Sequence, residues 1–441
     1  MTKQSHTSDQ KAVPDPAFVS DVDSGNEYIT QLLVLPDNSI IMSIDSGSTV
    51  PSRYCKTDSE GQVDSSFGKE GYLTLPFDPD VNPFLTTGLH SLPGTGKVLI
   101  RLLVRLTSND NGVPVTVPAT ARISEDGTLD ESYGKGGVQH YLLPFEDNKK
   151  LSDALPPLDR YSAQNEDIQN RCDWGGFIPL AEGGCFLAAE TFQLGTEPWN
   201  YKLHTYLIKL TESGELDTAF NEQGYVRLMP EKRWFPTGLH LASPEGDSFI
   251  VSGEVPATAE VREGESFVIK VDSSGNLDHS FAENGYFKKF TEVGYFPCQR
   301  MIPVKENLII VGNVAGGIFL ASLNNQGEIP EEFNGGEIKI IYPETGPDLP
   351  LSDAFLDSED RIVVCGRYMT PFGDPNFGMI GRFDAESGEP DPGFGDKYGL
   401  ANVEGARWCT AGALQESNYL FGIRRTLDGG TVVRWLADSQ T

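Results

Sequence analysis

Apolar segments occur in pairs along this chain, and a short polar turn separates the two members of each pair. The segments are short, they are bounded by Gly, Pro and Asp-rich turns, and they lack a convincing helical period. This pattern is typical of β-hairpins. We predict seven of them, at residues 28–44, 85–104, 175–190, 236–254, 298–313, 351–367 and 408–424.

Two further kinds of strand-like segment accompany the hairpins. The first kind directly follows a hairpin and occurs seven times, at residues 51–58, 119–124, 205–211, 266–272, 317–323, 377–383 and 431–438. The second kind follows a Gly-rich link, at residues 71–77, 136–145, 224–230, 285–290 and 336–343. Together these segments predict an all-β protein of seven repeats with four strands each.

The Gly-rich link is itself a repeated motif, and its clearest copy is TESGELDTAFNEQGYV at residues 211–226. The glycines allow positive φ in tight turns, and the Asp can accept hydrogen bonds from its own backbone. The aromatic residue can then anchor the link by burial. Related copies place this aromatic residue at Phe18, Phe67, Tyr133, Phe220, Phe281, Phe333 and Phe394.

The aromatic residues of the motif recur about every 63 residues, which suits a four-stranded blade with long loops better than a helical repeat unit. The motif resembles that of the delta-60 repeat family of bacterial β-propeller proteins, and the resemblance covers nearly the whole chain. It implies a fold, but no common activity. We predict a single seven-bladed β-propeller of four-stranded antiparallel blades over residues 14–441, after a disordered tail at residues 1–13.

The two chain ends are predicted to meet. The last strand segment, followed in pattern by PDPAF of the N-terminus, forms one more copy of the motif. Closing the ring in this way removes exposed sheet edges. With strands labelled A to D from the axis to the rim, we interpret each motif as the crossover from strand D of one blade to strand A of the next.

The long insertions are predicted to share one face of the disc. Hairpin turns and motifs open on one face, and the remaining connections open on the other. Loops on a rigid scaffold commonly bind ligands, although long loops can also be tolerated without a function. The insertions are residues 107–118, 146–174, 192–203, 255–265 and 368–376.

Cations stand beside aromatic residues at equivalent points of four repeats, on the connections nearest to the axis. Guanidinium and indole groups at a channel mouth suit a carboxylate, a sugar or a peptide. The alternative interpretation is that the aromatic residues pack between blades and the cations keep the loops soluble. The candidate binding residues are Arg171, Trp174, Arg233, Trp234, Tyr295, Arg300, Arg407 and Trp408.

The sequence contains no recognisable catalytic or metal-binding motif. The six histidines lack paired spacing, and there is no phosphate loop, nucleophile elbow or dinucleotide fingerprint. Acid-rich links such as residues 58–64 and 272–278 lack the spaced oxygen ligands of a calcium loop, and we interpret them as turns. We therefore predict no metal and no cofactor, while an active site assembled from several blades would leave no local motif.

The net charge of −30 disfavours a nucleic-acid partner. No apolar run is long enough for a transmembrane helix, and the N-terminus has no apolar signal segment. We expect a cytoplasmic protein without membrane insertion, or one exported without a recognisable signal. The six scattered cysteines are predicted to be reduced core residues: Cys55, Cys172, Cys185, Cys298, Cys365 and Cys409.

Three functional hypotheses follow. The first is a non-catalytic binding or scaffolding propeller, which presents its elaborated face and basic-aromatic channel mouth to a protein, peptide or glycan. The second is an enzyme, a lyase or hydrolase acting on an acidic or sugar substrate at the channel mouth, which requires clustered groups with shifted pKa values. The third is a structural part of a larger assembly, which requires a broad apolar patch.

Overall fold

The computed structural model of the chain is a seven-bladed β-propeller. It describes residues 13–20, 22, 27–45, 51–106, 115–144, 176–194, 201–228, 235–243, 245–255, 265–289, 298–343, 349–369, 377–425 and 429–436. Each blade consists of four antiparallel strands, as the sequence predicts; five blades are separate sheets, and blades 2 and 3 are joined into one sheet by the pairing of β8 with β11. No α-helix lies within these ranges.

The strands are numbered in chain order, and blades 1 to 4 follow one another along the chain. Blade 1 is β2 (Tyr28–Val34), β3 (Ile40–Asp45), β4 (Arg53–Thr57) and β5 (Tyr72–Thr74). Blade 2 is β6 (Val81–Leu92), β7 (Lys97–Leu106), β8 (Val115–Ser124) and β9 (Val138–His140). Blade 3 is β10 (Phe177–Pro179), β11 (Cys185–Leu194), β12 (Tyr201–Leu210) and β13 (Tyr225–Leu228). Blade 4 is β14 (Phe235–Leu241), β15 (Ser248–Val255), β16 (Glu265–Asp272) and β17 (Tyr286–Phe287).

Blades 5 to 7 complete the ring, and blade 7 takes its fourth strand from the N-terminus. Blade 5 is β18 (Cys298–Val304), β19 (Asn307–Val314), β20 (Gly317–Leu323) and β21 (Lys339–Ile341). Blade 6 is β22 (Leu351–Leu356), β23 (Arg361–Tyr368), β24 (Phe377–Asp384) and β25 (Leu400–Val403). Blade 7 is β26 (Trp408–Gln415), β27 (Asn418–Arg424), β28 (Gly430–Leu436) and β1 (Val13–Pro14).

The chain ends meet in blade 7, as the sequence predicts. Val13 pairs with Leu436 and Pro14 with Trp435. The Arg434 guanidinium of blade 7 links the N-terminal segment and blade 1. It donates to the Asp15 carboxylate at 2.7 Å and to the Ser59 carbonyl, in the motif of blade 1, at 3.0 Å. Residues 1–12 of the predicted tail lie outside the described residues.

The predicted position of the motif within the blades is wrong by one strand. In blade 1, β5 pairs with β4 of the same sheet, so the motif joins the third and fourth strands of one blade rather than crossing to the next. The motif is too tightly folded to cross from rim to axis: the Asp64 N–H bonds the Lys56 carbonyl at 2.9 Å, and Val63 forms a bridge with Thr57. The chain therefore doubles back along the strand that it has just left.

The predicted division of the loops between two faces is unchanged by this regrouping. Hairpin turns and motifs lie at one end of the antiparallel strands, here called the motif face. The connections from second to third strands, and from each blade to the next, lie at the other end, here called the insert face. All five predicted insertions attach at the insert face, although most of their residues lie outside the described ranges.

Buried apolar side chains of the described residues form seven clusters, one between each pair of neighbouring blades. The cluster between blades 7 and 1 combines Leu420 and Val432 with Ile29, Ile40 and Phe18. Because the core is divided in this way, each blade is stabilised mainly by its two neighbours, and ring closure supplies the seventh interface. Five cysteines are buried free thiols within these interfaces, and Cys172 lies outside the described residues.

In six of the seven motifs the Asp closes a turn, as predicted, and also pairs with a cation that the sequence analysis missed. In blade 3, the Asp217 carboxylate accepts the Ala219 N–H at 3.1 Å and bonds the Lys209 ammonium at 2.9 Å. Six blades contain this ion pair, and blade 5 replaces both members, with Ser322 and Pro330. The six pairs are Lys56–Asp64, Arg122–Asp130, Lys209–Asp217, Lys270–Asp278, Arg382–Asp391 and Arg434–Asp15.

The acid-rich links form turns, as predicted. Asp58 accepts the N–H groups of Glu60 and Gln62, both at 2.9 Å. Asp272 accepts those of Ser274 and Asn276, both at 2.8 Å. The carboxylates therefore satisfy backbone donors of their own link, which is the role expected of Asp in such turns.

Motif aromatic residues anchor the links by burial, and they do so between blades. All seven are at most 8 % exposed. The first Gly of one motif packs against the aromatic residue of the preceding blade: a Cβ added at Gly214 would lie 2.4 Å from the Tyr133 ring, and one at Gly127 would lie 2.9 Å from Phe67. The motif therefore links neighbouring blades as well as two strands of one blade.

Candidate functional site at the axis

The first strand of each blade lies next to the axis, and six of these strands carry a β-bulge at an equivalent place. A bulge re-aims the side chains around it and is common beside functional sites. The extra residue is polar in each of the six strands. These residues are Thr30, Thr87, Thr237, Gln299, Ser352 and Thr410.

Arg300 is the predicted binding residue whose contacts are most fully defined. Its Nε donates to the Asp353 carboxylate at 2.7 Å, and its side chain is 17 % exposed. The other oxygen of Asp353 accepts the Gly412 N–H at 3.0 Å. Arg300 of blade 5 is therefore fixed by a carboxylate of blade 6, and the same carboxylate accepts a hydrogen bond from blade 7.

Trp408 and Arg407 lie where blades 6 and 7 meet. The Trp408 indole is 4 % exposed and donates from Nε1 to the Ser352 hydroxyl at 2.6 Å. The Arg367 guanidinium lies 4.7 Å from the Trp408 ring centroid. Arg407 donates its backbone N–H to the Arg424 carbonyl at 2.8 Å. Trp408 thus packs between blades, where a ligand could reach its ring only after rearrangement.

The other five predicted binding residues lie outside the described part of the chain. They are Arg171, Trp174, Arg233, Trp234 and Tyr295. The connections that carry them lead into the first strands of blades 3, 4 and 5, so they attach at the insert face.

Arg101 and His90 lie on the second and first strands of blade 2, and the sequence analysis did not select them as a binding pair. Arg101 is 3 % exposed, and its Nε donates to His90 Nε2 at 2.9 Å. Its terminal nitrogens donate to the carbonyls of Gly176, at 3.1 Å, and Thr87, at 3.0 Å. The His90 ring stacks on Phe177 of blade 3, with centroids 3.9 Å apart. Blade 2 therefore presents a rigidly held guanidinium.

The guanidinium of Arg101 requires a glycine opposite to it. A Cβ at Gly88, which pairs with Arg101 across the strands, would lie 2.6 Å from both an Arg101 nitrogen and His90 Nε2. The sequence signal for this arrangement is a single arginine inside the apolar run KVLIRLLV, because a charge in a buried strand must find polar partners.

Arg101 of blade 2 and Arg300 of blade 5 lie within the range of each other's charge. Burial, followed by repulsion from Arg300, lowers the pKa of Arg101 to about 9, so it stays protonated at neutral pH. Burial and the same two guanidinium groups lower the pKa of His90 well below its usual range. His90 is therefore neutral at pH 7, and its Nε2 serves as an acceptor for Arg101.

Comparisons with known proteins give only distant similarities. No family model and no curated protein matches the sequence. The fold is similar to that of polysaccharide lyase Uly1, with a TM-score of 0.45 and 8 % identity over 98 % of both chains. It is also similar to prolyl oligopeptidase B from Galerina marginata, with a TM-score of 0.45 and 12 % identity over 93 % of this chain and 49 % of that chain.

A third similarity is to the Nup133 β-propeller domain of Vanderwaltozyma polyspora, with a TM-score of 0.34 and 11 % identity over 78 % of this chain and 81 % of that one. The chain spans about half the length of the first prolyl peptidases that it matches. The similar proteins thus include a lyase, a peptidase and a nucleoporin domain, and similarity at this level carries no argument about activity.

Neither a metal site nor a membrane-spanning helix is found within the described ranges. No three His, Cys, Asp or Glu side chains of these ranges come together in a way that could hold a metal ion. No helix there has the length and apolar character that crossing a bilayer requires.

Asp45 is a buried carboxylate at the insert-face end of β3. It is 2 % exposed and accepts hydrogen bonds from the hydroxyls of Ser52, Thr30 and Thr86, the last from blade 2 at 3.3 Å. Burial opposes ionisation more strongly than these donors favour it, and it raises the pKa of Asp45 to about 6. A carboxylate with this pKa gains its charge as the pH rises through the mildly acidic range.

We expect Asp45 to make stability depend on pH in the direction opposite to most carboxylates. Because the folded pKa lies above the unfolded value, the folded state binds the extra proton, and stability is lost as the pH rises from 4 through 6. Relative to Asp45→Asn, the wild type should lose about 2 kcal/mol of unfolding free energy between pH 4 and pH 8. Urea denaturation at several pH values measures this difference.

Asp217→Asn provides a control with the opposite sign. A hydrogen bond from Lys209 is the main cause that lowers the pKa of Asp217. The wild type should therefore gain stability relative to this variant as the pH rises through the acidic range. A difference between wild type and Asp45→Asn that does not change with pH would contradict the prediction for Asp45.

Proposed function

We propose that this propeller is a non-catalytic binding or scaffolding protein whose insert face takes a protein, peptide or glycan that carries carboxylates. The observation that carries the proposal is the guanidinium of Arg300 in blade 5, which is partly exposed and is held at 2.7 Å by the Asp353 carboxylate of blade 6. In a chain with a net charge of −30, a cation held in place in this way attracts an anionic group to one position, while the acidic remainder of the surface repels it.

The topology supports the same surface. Every connection that enters a first strand opens on the insert face, and so do the connections that carry the predicted insertions. Loops from several blades can thus contact one ligand around the axis, while the β-sheets hold their bases in place. The structural hypothesis requires a broad apolar patch instead. The exposed large hydrophobic residues of the described chain are spread over blades 2, 5 and 6 and the N-terminal segment: Leu142, Tyr342, Phe377 and Val19.

Paired substitutions test the proposal without leaving a buried charge uncompensated. Arg300→Gln with Asp353→Asn removes the axial ion pair and leaves the net charge unchanged. We expect binding of oligogalacturonate or of a glutamate-rich peptide, measured by calorimetry on the full chain, to weaken at least about tenfold, because the partly exposed cation that attracts the ligand's carboxylates is lost.

The matched control is Lys305→Gln with Glu386→Gln, which removes an exposed ion pair on the motif face. It should leave binding unchanged. Equal effects of the two double variants, or no binding of either probe by the wild type, would contradict the proposal. The enzyme hypothesis is tested in the same samples: cleavage of oligogalacturonate or of the peptide, seen by mass spectrometry, would favour a lyase or hydrolase.

A further inference from the structure

Six of the seven second strands carry a charged or amide side chain at one equivalent place near the insert face, and the sign of the charge changes around the ring. The place lies six residues after the residue that closes the hairpin turn, for example at Arg424 after Asn418. Blades 1, 3 and 4 have an acid there and blades 6 and 7 an arginine, while blade 5 has Asn313 and blade 2 has Leu103. The charged residues are Asp45, Glu190, Glu254, Arg367 and Arg424.

Two further arginines adjoin Arg424 at the insert-face end of blade 7. Arg407 donates its backbone N–H to the Arg424 carbonyl at 2.8 Å, and Arg425 follows directly in the chain. Arg407 and Arg424 are half-buried, and Arg425 is exposed. The Arg424 guanidinium lies 4.3 Å from the ring centroid of Tyr28 in blade 1, a contact that helps to hold it in place. Glu404, in the turn before Arg407, is exposed as well, so the three arginines leave positive charge in excess.

An exposed aromatic residue is bonded into the same edge. Phe377 is the first residue of the third strand of blade 6, at the insert face, and is 41 % exposed. The next residue, Gly378, donates its N–H to the Ala406 carbonyl at 2.8 Å, so this end of blade 6 is joined to the residue that precedes Arg407. Cationic and apolar groups therefore occur together here. The blade 6–7 edge is defined as Phe377, Arg407, Arg424 and Arg425.

We propose that the blade 6–7 edge binds a peptide segment of a partner protein in which acidic residues flank an aromatic or aliphatic residue. This inference rests on the proposed function, because it takes the insert face as the binding surface, and it narrows the ligand to one class. The guanidinium groups pair with carboxylates of the segment, and Phe377 packs against its apolar side chain.

The apolar part of the edge favours a peptide over a glycan. A sugar hydroxyl buried against the Phe377 ring would lose its bond to water without gaining another, whereas an apolar side chain loses none. Arginine and aromatic residues are also the types enriched in protein interfaces.

The charges around the ring place the segment on one side of the axis. Asp45, Glu190 and Glu254 stand in blades 1, 3 and 4 where blades 6 and 7 have arginine, and acids repel carboxylates. Arg300 lies on the favourable side, because the Asp353 carboxylate that holds it also accepts a hydrogen bond from blade 7.

The first test compares three anionic probes by titration calorimetry on the full-length protein. One is a heptapeptide with a central Trp between glutamates, the second has Ala in place of the Trp, and the third is oligogalacturonate. The Trp peptide should bind at least about tenfold more tightly than the other two, because it alone offers a large apolar side chain to Phe377. Equal affinity for the two peptides, or tighter binding of oligogalacturonate, would overturn the proposal.

The second test changes two exposed residues of the edge, each with a matched control. Phe377→Ala should remove the preference for the Trp peptide, and Tyr342→Ala should preserve it, although Tyr342 of blade 5 is 50 % exposed. Arg425→Gln should weaken binding of both peptides about two- to fivefold, as for an exposed ion pair. Lys69→Gln removes an exposed cation of the motif face and should weaken neither. Equal effects of the variants and their controls would contradict the assignment of this edge.

The same measurements separate this inference from the proposed function. If the wild type binds none of the probes, the proposed function fails. If Arg300→Gln with Asp353→Asn weakens peptide binding while Phe377→Ala and Arg425→Gln have no effect, the insert face still binds anionic ligands and the blade 6–7 edge is not the site.

Discussion

Replacing Phe18 with Ala is expected to lower the free energy of unfolding by about 3–5 kcal/mol, as for a buried aromatic residue in the middle of a domain. Phe18 is 8 % exposed and belongs to the cluster between blades 7 and 1. The Arg434 guanidinium lies 4.9 Å from its ring centroid, and a Cβ at Gly61 of blade 1 would lie 2.8 Å from the ring. Its removal leaves a cavity at the ring closure.

Two aromatic residues serve as references for urea denaturation of the variants. Phe281 holds the same position in the motif of blade 4 and is 1 % exposed, so Phe281→Ala should cost about as much as Phe18→Ala. Phe377 is 41 % exposed, and Phe377→Ala should cost less than about 1 kcal/mol. If Phe18→Ala costs no more than Phe377→Ala, the N-terminal segment does not close the ring.

The fold could be predicted from the sequence because each repeat carries its own structural signals. Alternating apolar segments specify the strands, and the Gly, Asp and aromatic residues of the motif specify the links. PDPAF at the N-terminus contains enough of the motif, Asp15 and Phe18, to indicate that the chain ends meet. Neither residue needs a distant partner to be recognised.

The grouping of strands into blades could not be predicted in the same way. In a circular array of four-stranded repeats, moving every blade boundary by one strand leaves the pattern of apolar residues unchanged. What decides the boundary is a backbone contact, such as that between Asp64 and Lys56. One sequence signal was available: a cation stands eight residues before the motif Asp in blades 1 to 4, as in Lys209 and Asp217, and this spacing ties the motif to the preceding strand.

The candidate site was predicted only in part, because the sequence does not show which blades face each other. Arg300 could be selected from its place beside a first strand, but its partner Asp353 is contributed by the next blade. Arg101 lies in an apolar strand, and its charge interacts with that of Arg300 only because the ring brings blades 2 and 5 within range of each other. Charge partners drawn from different blades leave no spacing pattern in the chain.

The motif stabilises the ring because its residues act in two directions. The Asp and the preceding cation hold the link to its own blade, while the aromatic residue and the Gly hold neighbouring blades together. Between blades 2 and 3 these contacts are close: the Gly134 N–H bonds the Ser213 carbonyl at 2.7 Å, and the Tyr141 hydroxyl donates to the Gly214 carbonyl at 3.0 Å. A disturbance at the motif Gly should therefore weaken an interface rather than a single turn.

We accordingly expect Gly214→Ala to lower the free energy of unfolding by about 2–5 kcal/mol. Gly214 has φ of +81°, where an Ala costs about 1–2 kcal/mol in backbone strain. The added Cβ would also lie 2.4 Å from the Tyr133 ring, which is 2 % exposed and has little room to move. Overpacking of this kind typically costs a further 1–3 kcal/mol. Urea denaturation followed by tryptophan fluorescence measures the sum.

Gly94→Ala separates the two contributions. Gly94 has φ of +71°, yet a Cβ there would meet nothing within 4 Å, because it lies in the hairpin turn of blade 2. This variant should show the backbone strain alone, about 1–2 kcal/mol. The difference between the two variants is then the cost of pushing blades 2 and 3 apart. Equal losses would mean that the motif Gly serves only its own turn and that the blades are held together by the strands.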